Sequence, residues 1–160
     1  MTALAGVIPL RIGDRPSNIE VVRRVLGVSS TVEDLAIEAK WSGKMIRVLD
    51  PISLLASKLE LVSTVPQTGR NDVTHLKILV PCVRAFLDDL LQQVEQKQIP
   101  ARSWLSAAKH TLKLTTNHRA MKMGKKHQIN WNETLPYNAI VKSKDEKIKR
   151  FWELQIKREF

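Results

Sequence analysis

Gln67-Thr68-Gly69-Arg70-Asn71-Asp72 is a polar turn. It runs directly into Val73-Thr74-His75-Leu76-Lys77-Ile78-Leu79-Val80-Pro81-Cys82-Val83-Arg84-Ala85-Phe86-Leu87, which opens the longest apolar-periodic segment of the chain. As far as Val94, the residues Val73, Leu76, Val80, Val83, Leu87, Leu90 and Val94 step by three and four, the spacing of one helix face. Ile78, Leu79, Cys82 and Phe86 add apolar side chains on neighbouring faces, so this helix is expected in the middle of a core. Pro81 lacks the backbone donor, and its ring meets the preceding turn, so a kink is expected there. Asn71 or Asp72 is the candidate N-cap, able to accept the free amides of the first turn. The most buried helix therefore begins beside Arg70, Asp72, His75 and Lys77, the first place to look for chemistry.

Towards the N-terminus, Lys40-Trp41 and Lys44 to Leu49 flank Ser42-Gly43, the two-residue signature of a tight hairpin. Asp50-Pro51 breaks the strand, and Pro51 suits the first turn of a helix. That helix carries Ile52, Leu55, Leu59 and Val62 on one stripe, with Lys58 inside it, a long cation that can snorkel to water or reach a phosphate. Earlier still, Val7 to Ile12 reads as a short strand that Pro9 confines to an edge or a strand start, and Gly13-Asp14-Arg15-Pro16 as a turn. Ile19, Val22, Val25 and Leu26 have helical spacing closed by Gly27, although their Val-rich composition leaves a strand open. A second short helix is expected from Ser30 or Thr31 through Ala39, with Glu33 and Asp34 in its first turn.

Length and charge bound what the chain can be. Its 160 residues suit one domain with a real core, and no apolar run approaches the roughly 20 residues that cross a bilayer. Met1 to Ile8 is too short, and lacks the basic start, for a secretory signal. Cys82 is the single cysteine, so no intramolecular disulfide is available; a packed thiol in a reducing cytoplasm is expected. Residues 1–100 hold 12 basic and 11 acidic side chains, whereas residues 101–160 hold 14 and 5. The excess charge thus sits in the last third of the chain, which points to an anionic partner, nucleic acid or nucleotide phosphate by default, or to a solvated basic surface.

That last third reads as helices. Pro100 starts one with Trp104, Leu105, Ala108, Leu112 and Thr115 inward and Lys109 and Lys113 outward. In the next, Arg119, Lys122 and Lys126 recur at three and four with Lys125 beside them, and Gly124 is expected to end it. A cationic row of this kind suits phosphate contacts, so Lys113, Arg119, Lys122, Lys125 and Lys126 are the nucleic-acid-binding candidates. Trp131, Leu135, Tyr137 and Ile140 are expected to pack back onto the body, with base stacking as the other use of the aromatic pair. Ser143 and Glu146 form a capping-box pattern for a final helix with Ile148, Phe151, Trp152, Gln155 and Ile156 inward. The pairs Glu146 with Arg150 and Glu153 with Lys157 support it. The four histidines show no metal-ligand spacing, so no zinc is expected.

An ordered series of these residues resembles a known family. Val48-Leu49-Asp50-Pro51-Ile52, then Leu54-Leu55 and Ser57-Lys58-Leu59, then Gln67, Arg70, Asp72 and His75-Leu76, look like the later half of bacterial nucleotidyltransferases of the abortive-infection toxin type. The resemblance covers roughly residues 18 to 92 and implies nucleotide transfer from a nucleoside triphosphate, with Mg²⁺, to RNA or protein in a toxin–antitoxin or phage-defence setting. It implies nucleotide- or phosphate-binding roles for Lys58, Arg70, Asp72 and Lys77, where cations stabilise charge on a transferring group. It also implies that Glu20, in Ile19-Glu20-Val21-Val22, is a third metal-supporting catalytic carboxylate on a strand, against the helical spacing read above. The family's Gly-Ser turn followed by two alternating carboxylates, which bind triphosphate and Mg²⁺, does not occur in this sequence. Two accounts are open, a fragment of a longer enzyme or a degenerate relative that kept the scaffold and lost the catalysis; the chain is expected to be inactive alone, and a missing N-terminal region or a partner protein is the candidate partner.

The expected architecture is α+β. Residues 1–50 form a small N-terminal sheet remnant of a nucleotidyltransferase-like fold, with a hairpin. Residues 51–160 form a helical body whose basic part spans 95–160. The alternative to the enzyme-like reading is a non-enzymatic basic helical module that binds nucleic acid or a partner protein. A purely structural domain is the third.

Overall fold

The structure, a computed structural model, describes residues 4–22, 25–28 and 36–157. It is mixed α+β and mostly helical. Two antiparallel hairpins come first, β1 (Leu4–Ile12) with β2 (Arg15–Val22), and β3 (Ala36–Trp41) with β4 (Lys44–Leu49). Among the described residues six α-helices follow: α1 (Pro51–Thr64), α2 (Asp72–Glu95), α3 (Ala101–Thr116), α4 (His118–His127), α5 (Tyr137–Lys142) and α6 (Glu146–Phe151).

The strand expected at Val7–Ile12 is present and starts earlier, at Leu4. Pro9 stands opposite Asn18 in a two-stranded ribbon, where every strand is an edge and tolerates a missing donor. The helical spacing read over Ile19–Leu26 is overturned, since Arg15–Val22 is a strand. Ile19, Val21 and Val22 are β-branched and pair with the segment from Leu4 to Ile8, and this pairing outweighs a spacing that four residues only weakly define. The helix expected through Ala39 is likewise replaced at Ala36–Ala39 by β3; its start, at 29–35, lies outside the described residues. Ser42 and Gly43 join β3 to β4 with φ of 48° and 79°, both left-handed, the turn whose twist matches the strands it connects.

One residue converts sheet into helix. Asp50 caps α1: its Oδ1 accepts from the backbone N of Ile52 at 2.8 Å and of Ser53 at 3.0 Å. Its Oδ2 accepts from the Ser53 hydroxyl at 2.5 Å, and Pro51 fills the first helical position. From here on the core is helical. Every buried apolar side chain among the described ones lies between Ile52 and Ile156.

α2 is the axis of that core, with Leu76, Val80, Val83, Leu87, Leu91 and Val94 buried in one stripe against α1 and α3. Each fully buried Leu or Val of this kind contributes about 2 kcal/mol by leaving water. Leu91 rather than Leu90 completes the stripe, and the all-round burial expected of this helix narrows to one side. Ile78 and Cys82 are exposed, so the packed thiol expected at Cys82 is corrected to a solvent-facing one. The helix runs on through Pro81, whose missing donor falls on the same open side.

Trp104 of α3 is wholly buried. Its Nε1 donates to the Leu87 carbonyl at 2.8 Å, and its ring meets Phe151 edge-on with centroids 5.8 Å apart. The capping box expected at Ser143 and Glu146 is replaced. Asp145 caps α6 through the backbone N of Lys147 and Ile148, and the Ser143 hydroxyl donates instead to Glu95 of α2 at 2.5 Å. Glu146 pairs with Lys149, not Arg150, whereas Glu153 pairs with Lys157 as its spacing suggests. Beyond Phe151 the chain widens into a π-type turn over Trp152–Ile156, which brings Ile156 inward and leaves Gln155 exposed, contrary to the inward position expected for it. Among the described residues no helix is long and apolar enough to cross a membrane.

Candidate functional site

Three residues separated in sequence meet at the start of α2. Lys58 comes from the interior of α1, Arg70 from the turn made by Gly69 (φ 69°), and Asp72 is the first residue of α2. Lys58 Nζ donates to Asp72 Oδ1 at 2.7 Å, and Arg70 Nε donates to Asp72 Oδ2 at 2.6 Å. The carboxylate is 5% exposed, against 26% for Lys58 and 42% for Arg70, so an almost buried anion carries two cations that lean out to water. Burial pushes the Asp72 carboxyl up; the hydrogen bonds from Lys58 and Arg70 and their charges outweigh it, leaving the carboxyl below its ordinary value. Asp72 is thus not a cap in the side-chain sense, and Asn71 occupies the cap position without a side-chain hydrogen bond. The negative charge is placed where the helix dipole favours it.

Lys77 and His75 lie further along α2, both exposed. Burial first, then the charges of Lys126 and Lys77, hold the His127 imidazole below its ordinary pKa. Lys77 therefore adds to the charge at the end of α4.

α4 presents the basic row. Asn117 caps it, with Oδ1 accepting from the Ala120 backbone N at 2.9 Å, and Ala120, Met123 and Gly124 face the core. Lys122, Lys125 and Lys126 are exposed on the other side, with Lys113 exposed on α3. Arg119 differs from them, because it forms an ion pair with Glu60 of α1. Among the described residues no carboxylate lies within ion-pair distance of Lys113, Lys122, Lys125 or Lys126. Gly124 does not end the helix as expected; α4 continues to His127 and closes at Gln128 in the left-handed region (φ 56°). Gly124 instead admits the Trp131 indole, since a Cβ there would stand 2.5 Å from Trp131 Nε1. That nitrogen donates to the Ala120 carbonyl at 2.8 Å.

Glu20 stands on β2 opposite Val7, and its side chain is outside the described residues. Among the described residues no group of three His, Cys, Asp or Glu side chains forms a metal site. Both oxygens of Asp72 are already taken by cations. Sequence reasoning missed the Glu60–Arg119 pair and the seat of Trp131 on Gly124. The first has no local signal, for Glu60 and Arg119 are 59 residues apart. Compared with the models of known protein families, with curated proteins and with solved structures, the chain gives no match.

Proposed function

We propose that this chain is the helical, acceptor-holding part of a nucleotidyltransferase-like protein of the abortive-infection toxin kind, and that alone it transfers no nucleotide. The observation that carries the reading is the convergence of Lys58, Arg70 and Asp72 on one hydrogen-bonded cluster. These residues come from three separate places in the ordered series that resembles the family. The exposed lysines of α4 supply the surface on which an RNA acceptor would lie, because phosphate contacts need accessible cations. In this reading Lys58 and Arg70 position the start of α2 and border the phosphate side of the cleft, and the missing carboxylates come from outside the chain.

The second reading, a non-enzymatic basic module, is favoured by a specific observation. Lys58 and Arg70 are both engaged by Asp72, whereas the α4 lysines are open to a ligand. The deciding experiment incubates the purified chain with Mg²⁺, labelled nucleoside triphosphates and total bacterial tRNA, and measures binding to the same tRNA at two salt concentrations. No transfer together with salt-weakened binding is the expected result. Transfer of label would overturn the claim of inactivity, and binding indifferent to salt would overturn the role of the basic face. The intact mass of the native protein then separates the two readings. Extra upstream sequence with a Gly-Ser turn and paired acids supports the first, and a start at Met1 supports the second.

A further inference from the structure

Beside the basic row of α4 lies a cavity of about 310 Å³, between α3, α4 and the short helical turn Trp131–Thr134. Leu112, Met121, Lys125, Trp131, Asn132 and Tyr137 line it, and none of its described lining side chains is acidic. Its volume is at the small end for ligand sites, which suits one heterocycle rather than a larger molecule. Its walls are held in place before any ligand arrives. The Trp131 indole is 7% exposed, anchored through Nε1 to the Ala120 carbonyl and seated on Gly124. Tyr137 is braced edge-on by Trp152, with centroids 5.8 Å apart. Met121 is 57% exposed, a polarisable thioether able to lie against an aromatic ring, and Asn132 brings an amide with both donors and an acceptor. Lys125 belongs to this cavity and to the exposed cationic row at the same time.

We propose that this cavity takes an unstacked nucleobase from a single-stranded RNA whose phosphates follow Lys122, Lys125 and Lys126. The inference rests on the reading of α4 as an RNA-facing surface and deepens it. Single strands are held by a cationic track together with side chains that receive splayed bases, and double-stranded RNA cannot offer a base to such a cavity. Charge complementarity selects the occupant: Lys125 lines the pocket and no acidic side chain does, the neighbouring Glu133 accepting instead from Asn130 Nδ2 at 3.0 Å, so a base tethered to phosphates fits where an acidic protein segment would leave the apolar walls uncovered.

The test compares a single-stranded RNA of about a dozen nucleotides with the same strand made abasic, which keeps the phosphates and removes the bases. The intact strand is expected to bind about tenfold tighter or more. Met121→Ala and Asn132→Ala, both at exposed positions, are expected to remove that difference while leaving the melting temperature and the salt dependence as in the wild type. Equal binding of intact and abasic strands, both weakened by salt, would overturn the base pocket and leave the basic face standing. Absence of salt-sensitive binding to either strand would overturn the RNA-facing surface, and the pocket with it.

Discussion

Two sets of cations in this protein live under opposite conditions. Lys58 and Arg70 converge on the nearly buried Asp72, whereas Lys122, Lys125 and Lys126 project from α4 into water. In the first set the charges answer an anion, so their work is done inside the fold, holding the turn after α1 against the start of α2. In the second set, no carboxylate among the described residues comes within ion-pair distance, so the charge is available to a partner. A lysine's role is set less by its identity than by whether an acid has been placed within reach. Arg119, on the same helix as the second set but paired with Glu60, shows the boundary between them.

The largest stability effect is expected where the buried anion is removed. Asp72→Asn keeps the shape and discards the charge, and should lower stability by about 2–3 kcal/mol in urea denaturation, because two charge-assisted hydrogen bonds are lost at once. Unchanged stability would mean that the cluster does not hold the fold and would dissolve the comparison. The same substitution should leave the salt dependence of RNA binding as it was.

Next is the triple substitution Lys122→Ala, Lys125→Ala and Lys126→Ala. It should reduce the slope of log affinity against log salt by about 2 for single-stranded RNA, while unfolding shifts by no more than about 0.5 kcal/mol. A large loss of stability would place these lysines with the first set.

Acid separates the two sets further. Asp72 has a folded pKa below its ordinary 3.8, so its contribution is fully present above that value and is lost as pH falls through the folded pKa. His127 is also held below its ordinary 6.5; as a base kept neutral, it contributes stability above 6.5 that fades as pH falls through its folded pKa. Melting temperatures should therefore begin to fall below about pH 6.5, and His127→Gln should flatten that first decline without touching the one near the carboxylate range. A small effect is expected of Arg119→Gln, which breaks a partly exposed ion pair and should cost less than about 1 kcal/mol by the same urea assay.

Much of the architecture is legible in local pattern. The β3–β4 hairpin was signalled by Ser42-Gly43, the start of α1 by Asp50-Pro51, and α2 by its run of apolar residues, because turn geometry, capping and periodicity act over a few neighbouring positions. The strand at Arg15–Val22 was hidden by helical spacing, since only its pairing partner, from Leu4 to Ile12, resolves which period holds. The residues of the candidate site were readable as types, with Arg70 and Asp72 close together in the turn that opens α2. The join of Lys58 to Asp72 across 14 positions was not.

The sequence by itself determined where charge and apolar surface lie along the chain: a helical core built on α2, and an excess of cations after residue 100. Tertiary structure decided which cations are consumed and which are free. It laid Glu60 beside Arg119 and let Trp131 rest on Gly124 to shape a cavity. The reason is physical. Charge and hydropathy are properties of single residues, but pairing, burial and cavity walls depend on which distant segments pack together, and the free energy of that packing is shared over the whole core.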